Sequence, residues 1–152
     1  MIAVNFPEPV FRLKKEKDVE FIFDTIRKQW LVLNEEEWVR QNFVQYLIQT
    51  LSYPSAFIAI EKEIMLGELR KRFDIVVYDR DAKPWMIVEC KEMNVPLGQV
   101  TLEQVNRYQM VLSSSYLVIT NGTNTFCCYG NPESCRWEFV AALPIYPDGS
   151  SK

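Results

Sequence analysis

The chain has no histidine among its 152 residues. That absence excludes histidine general acid/base catalysis, Ser-His-Asp and Cys-His nucleophile systems, and histidine-ligated zinc or iron. Glycine is also scarce, and the five present never form GxxxxGK or GxGxxG. An ATP motor or a dinucleotide site therefore has no phosphate-cradling loop to use, and no nucleotide cofactor is expected. No run approaches the roughly 18 apolar residues of a membrane span. The opening MIAVNFPEPV lacks a basic region followed by a long apolar stretch, so neither membrane insertion nor export is expected and a cytoplasmic location is. Positive charge is not in excess either: 17 Lys and Arg stand against 20 Asp and Glu, a net charge of −3. No broad polybasic field can hold a polyanion, so contact with one must be local or metal-mediated. Cys90, Cys127, Cys128 and Cys135 form no CxxC pair, and the adjacent Cys127 and Cys128 would point to opposite faces of a strand.

What is present is a globular composition, 48% hydrophobic and 13% aromatic. A chain of this length buries roughly 68–70% of its unfolded surface, enough for a proper core. Residues 1–18, with Pro7, Pro9 and a charge run at 14–18, read as an irregular arm. Residues 19–147 read as one domain and 148–152 as a tail. Residues 20–33 fit a short hairpin or a broken helix, because Phe21, Phe23, Ile26 and Trp30 follow neither period. Asn34 with Glu37 three residues on resembles a helix cap with its reciprocal glutamate. Val39, Phe43, Leu47 and Leu51 then recur at helical spacing, so a helix is predicted over 34–51. Three β-rich stretches follow at 57–65, 72–79 and 84–91, a meander. A helix is predicted over 100–113. Strands are predicted at 116–120 and 123–129 around an Asn121-Gly122 two-residue turn, and at an edge over 136–140.

A turn centred between Asp81 and Ala82 pairs Asp74 with Glu89 across the second and third strands, on one face. Their Cβ atoms would lie about 4.5–5.5 Å apart. Two carboxylates so placed can ligate a hard dication, whose oxygen ligands sit at about 2.0–2.1 Å for Mg²⁺. Lys91, two residues past Glu89, would project from the same face. The surrounding strand residues are apolar on both faces, as in a central strand covered twice. Burying three charges there is costly unless they pair or bind metal.

Asp74 followed by Glu89-Cys90-Lys91 resembles the PD-(D/E)xK nuclease superfamily, with Phe73 where the motif's proline would stand. Gln104 and Tyr108 match the QxxxY signature of its recombination-exonuclease branch. The stretch Glu36-Glu37-Trp38-Val39-Arg40-Gln41 and the stretch from Tyr116 to Gly122 look like the N-terminal nuclease domain of type I restriction enzyme R subunits. The likeness covers roughly residues 20–130, with its separated motifs in order. It implies an α/β fold with a restriction-endonuclease-like αβββαβ core, a mixed central sheet flanked by helices. It also implies DNA phosphodiester hydrolysis dependent on Mg²⁺, with Mn²⁺ as substitute. Asp74 and Glu89 would hold the ion and Lys91 would orient water or balance transition-state charge. Glu36 or Glu37, the latter preferred, would add an acid from the first helix. Gln104 and Tyr108 would position the ligand shell or the DNA backbone, and Arg70, Lys71 and Arg72 would contact phosphates. The missing motor suggests a module acting with separately encoded motor or specificity subunits.

The same residues admit plainer readings. Asp74, Glu89 and Lys91 can form a structural ion-pair network. Glu36 and Glu37 can serve the helix dipole or pair with Arg40. Gln104 and Tyr108 can be an ordinary amphipathic pair, and Arg70 to Arg72 a solvated strand end. The functional alternative is then a catalytically inactive nuclease fold that binds a protein or nucleic-acid partner. Hydrolysis of RNA or a nucleotide by the same carboxylates is a third option.

Overall fold

A computed structural model describes residues 1–98, 103, 107 and 114–147. Among the described residues, ten strands and the α-helix α1 run in the order β1 (Ile2–Ala3), β2 (Leu13–Glu16), β3 (Val19–Asp24), β4 (Gln29–Val32), α1 (Glu35–Gln45), β5 (Ile58–Leu66), β6 (Leu69–Tyr78), β7 (Pro84–Cys90), β8 (Tyr116–Thr120), β9 (Asn124–Asn131) and β10 (Arg136–Val140). Seven of them form one sheet in the order β1-β9-β8-β7-β6-β5, with β10 also on β9, while β2-β3-β4 form a second sheet. The large sheet is antiparallel except between β7 and β8, which are parallel. Parallel neighbours need a crossover. Residues 91–115 supply it, and Glu103 and Arg107 within it are helical. The rest of the helix predicted over 100–113, Gln104 and Tyr108 included, lies outside the described residues.

The meander β5-β6-β7 forms as the sequence predicts. Ile75 pairs with Val88, Val76 with Ile87 and Val77 with Met86, as expected, but the register shifts between Val77 and Tyr78, so Tyr78 pairs with Pro84 and the turn closes with Asp79 N donating to Lys83 O at 2.8 Å rather than centring between Asp81 and Ala82. Every residue from Trp85 to Cys90 is buried, because β7 is covered on both faces. One face carries Ile75, Val77, Val88, Cys90 and Val118 under Val39, Phe43, Val44 and Leu47 of the helical segment. The other gathers Phe73, Val76, Ile87, Leu97, Leu117 and Ile119. Cys127 and Cys128 divide between the two, as strand alternation requires.

Several local expectations change. Asn34 does cap α1, accepting from Glu37 N at 2.7 Å, but the Glu37 carboxylate does not reciprocate and turns inward to Arg40 and Gln41. The α-helix ends at Gln45, and Tyr46–Thr50 continue as a wider turn closed by Leu51 N donating to Tyr46 O at 3.1 Å. The Asn-Gly turn is displaced by one residue. Asn121 N donates to Asn124 O, so Gly122 and Thr123 form the tip, with Gly122 at φ +88°. The segment expected to be an irregular arm contributes β1, which pairs with β9, and β2, which pairs with β3. Residues 19–32 resolve into the hairpin β3-β4.

Candidate functional site

The β6–β7 ladder ends at Ile75 and Val88. Beyond it, Cys90 N donates to the Asp74 carboxylate at 2.8 Å, so a side chain takes the place of a backbone acceptor where the strands part. On β5, Glu61 stands at φ +52°, and the paired positions skip from Ile60–Ile75 to Lys62–Phe73. That local reversal breaks the period of two, and Phe73 and Val76, three residues apart, share one core.

This break separates the two acids that the sequence places on one face. The other Asp74 oxygen accepts from Arg40 Nη1 of α1 at 2.7 Å. Glu89 follows Val88 and precedes Cys90, both in the core under α1, and it pairs with Ile119 of the opposite core. Its side chain therefore points away from α1, with Oε1 3.6 Å from Lys71 Nζ. The expectation that the two acids pair on one face is corrected accordingly: the ladder stops at Ile75 and Val88, and Asp74 lies in the parting of the strands and reaches toward α1.

Arg40 is the residue that sequence reasoning did not single out. Its guanidinium, largely buried, binds both oxygens of Glu37 and one of Asp74, and lies 3.3 Å from Glu61. Burial alone would lower its pKa, but the hydrogen bonds and charges of Glu37, Asp74 and Glu61 outweigh it and hold the group above its ordinary value. Glu61 passes the network on to Arg27 at 2.9 Å, which in turn binds Asp24 at 2.7 Å. Burial pulls Glu61 upward, yet Arg27, Arg40 and Arg72 together depress its pKa below the usual range. A cation at helical spacing from two acids looks like a surface ion pair. Only the fold shows that Arg40 is enclosed.

Of the two first-helix acids, Glu37 is taken up by Arg40 and Gln41. Glu36 is exposed, and desolvation first, then the Asp74 charge, raises its pKa, with Arg40 and Lys91 opposing. Glu36, rather than the preferred Glu37, is thus the helix acid in the electrostatic field of Asp74 and Lys91. Lys91 is half-buried just past β7, its backbone N donating to Thr120 O at 2.8 Å. Arg70 and Arg72 are exposed and Lys71 half-buried. Lys71 faces Glu89, while Arg72 lies 3.6 Å from Glu61. A cleft of about 370 Å³ lined by Glu20, Leu33, Asn34, Trp38 and Met93 runs where the small sheet meets α1 and the segment after Lys91. Cys90 is buried and its thiol is pushed well up by burial, so it is not a nucleophile.

For a hard dication the donors are of the right kind, carboxylate oxygens from adjacent strands. Each acid is balanced here by a cationic side chain, Arg40 for Asp74 and Lys71 for Glu89. Among the described residues, no three His, Cys, Asp or Glu side chains converge on one point. An ion held by both acids would require the Glu89 side chain to leave Lys71 and turn toward Asp74, because the two carboxylates point to opposite sides of the sheet. None of the described helices is long and apolar enough to cross a membrane.

No curated protein matches the chain. A family model described as the type I restriction enzyme R protein N terminus (HSDR_N) matches residues 35–144, from the start of α1 past β10. That span contains Arg40, Glu61, Asp74, Glu89 and Lys91 and leaves out the three-stranded sheet. The chain belongs to the type I restriction enzyme R protein N-terminal family.

Proposed function

We propose that this chain is a restriction-system nuclease module with a restriction-endonuclease-like core, which hydrolyses DNA phosphodiester bonds with Mg²⁺, or Mn²⁺ in its place, and works beside separately encoded motor or specificity subunits. One observation supports the reading above the rest: Asp74 sits where the β6–β7 ladder parts, its carboxylate accepting from the backbone N of Cys90, the residue between Glu89 and Lys91. Asp74 and Glu89 would hold the ion once the Glu89 side chain turns from Lys71 toward Asp74. When bound, it would polarise the phosphate and supply a bound water of lowered pKa. The chain's own residues do the rest. Lys91 offsets the negative charge that builds on the phosphoryl oxygens and orients the attacking water. Arg40 fixes the Asp74 carboxylate, and Glu36 adds a carboxylate beside it. Lys71, Arg70 and Arg72 attract the phosphate backbone. Gln104 and Tyr108 complete the set as positioning residues.

A second reading is favoured by the pairing of both acids with cations: a nuclease fold that binds a partner without cutting. Incubating the protein with supercoiled and linear DNA and Mg²⁺ or Mn²⁺ separates the two. Cleavage by the parent protein, lost in Asp74→Ala and Glu89→Ala, is the expected result. Equal cutting by those variants sinks the assignment, and no cutting with any divalent ion selects the binding domain.

A further inference from the structure

The three-stranded sheet lies ahead of the residues that the family model matches. Its inner face buries Ile22 and Asp24 completely. Its outer face is of another kind. Phe23 pairs with Trp30 and Phe21 with Val32, while Lys14 lies opposite Phe21 and Arg12 opposite Phe23. Directly opposed residues share a face. Phe21, Phe23, Trp30, Val32, Arg12 and Lys14 therefore form one surface. All three rings are only half-buried, and Val32 is 54% exposed. The Arg12 guanidinium lies 4.6 Å from the Phe23 centroid, and Lys14 Nζ lies 4.5 Å from that of Trp30. Phe23 and Trp30 meet edge to face at 5.3 Å. Glu16, the acid at the end of this face, pairs with Lys14 at 3.0 Å.

Charge singles out the same region. Residues 12–33 carry six Lys and Arg against four Asp and Glu, a net +2 that leaves −5 for the rest of a chain whose total is −3. A face meant for an apolar protein partner would not lay cations over its rings, and an ordinary solvated face would not present three aromatics. Aromatic rings interleaved with Arg and Lys suit a ligand with both π-faces and phosphates. Rings on alternate strand residues stand about 6.6–6.8 Å apart. That spacing suits bases of an extended strand, whereas a duplex keeps its base faces hidden in the stack.

We propose that the outer face of β2-β3-β4 is a binding platform for single-stranded DNA, with bases stacking on Phe21, Phe23 and Trp30 and phosphates meeting Arg12 and Lys14. The choice of DNA rests on the function proposed above; the platform shares no residue with the cleavage site. The test is fluorescence anisotropy of the full chain with a fluorescein-labelled oligo(dT), in EDTA so that cutting plays no part. The parent binds oligo(dT) more tightly than a duplex of equal length or oligo(rU). Arg12→Gln/Lys14→Gln weakens binding roughly tenfold and lowers the slope of log affinity against log salt by about 1.4, two phosphate contacts' worth. Trp30→Ala weakens it roughly tenfold through lost stacking. If that variant unfolds the hairpin, the Arg12/Lys14 pair carries the test alone. Absence of binding by the parent at low salt, undiminished binding by the Arg12/Lys14 variant, or preference for duplex or oligo(rU) overturns the proposal. Loss of the nuclease reading by equal cutting in Asp74→Ala leaves these binding results standing, so the two fail separately.

Discussion

The two ends of the β6–β7 pair obey different rules. Toward the turn, Ile75, Val76 and Val77 pair in register with Val88, Ile87 and Met86, all fully buried and divided between two cores, and the register shifts only past Val77, next to the turn itself. Toward the site, the ladder stops, Glu61 on the neighbouring strand takes a left-handed backbone, and Asp74, Arg40 and Glu89 replace hydrocarbon. The regular end fixes where residues stand along the strands. The irregular end releases their side chains from alternation, and it is there that charge is gathered.

The largest effect should come from the centre of the charged end. Arg40→Ala leaves Glu37, Asp74 and Glu61 without their common cation, and unpaired interior charge of this sort costs about 3–5 kcal/mol. Urea denaturation measures it, and a loss under about 1 kcal/mol would mean that the network is solvated. The next test sets the ends against each other. Ile75→Ala, at the regular end, costs about 2–5 kcal/mol of stability while cutting per folded molecule persists. Lys91→Ala lowers the cleavage rate by roughly 10²–10³ and leaves stability within about 0.5 kcal/mol. The reverse pattern would erase the distinction.

The smallest effect is a pH dependence. The folded pKa of Glu61 is depressed, so its contribution is present above the ordinary glutamate value of about 4.3 and is lost as pH falls through the folded pKa. Thermal melts of the parent and Glu61→Gln should differ at neutral pH and converge in acid. A gap that grows on acidification contradicts the assignment.

The legible part of this molecule follows from periodicity. Helix α1 and the meander, with its register from Ile75–Val88 to Val77–Met86, are written in apolar spacing. The break at Asp74 is not, because it depends on the backbone of Glu61, a residue on another strand that looks like an ordinary solvated glutamate. Arg40 escaped for a related reason: helical spacing reveals its neighbours but not its enclosure. The small sheet was hidden because both its faces carry apolar residues, one buried and one exposed, so Phe21, Phe23 and Trp30 show no alternation with polar partners. Gln104 and Tyr108 fall outside the described residues.

The tip of the β8–β9 hairpin acts at a distance on all this. A Cβ added to Gly122 would lie 3.3 Å from Val39 Cγ2 on α1 and 3.5 Å from Met93 Cγ, while Asn121 Nδ2 holds Val95 O at 2.8 Å and Thr120 O receives the Lys91 amide. Gly122 is thus a keystone between the helix that bears Arg40 and the stretch that bears Lys91. A single methyl group there would press on Val39 and Met93, one in the helix of Arg40 and the other two residues past Lys91, without touching either cation.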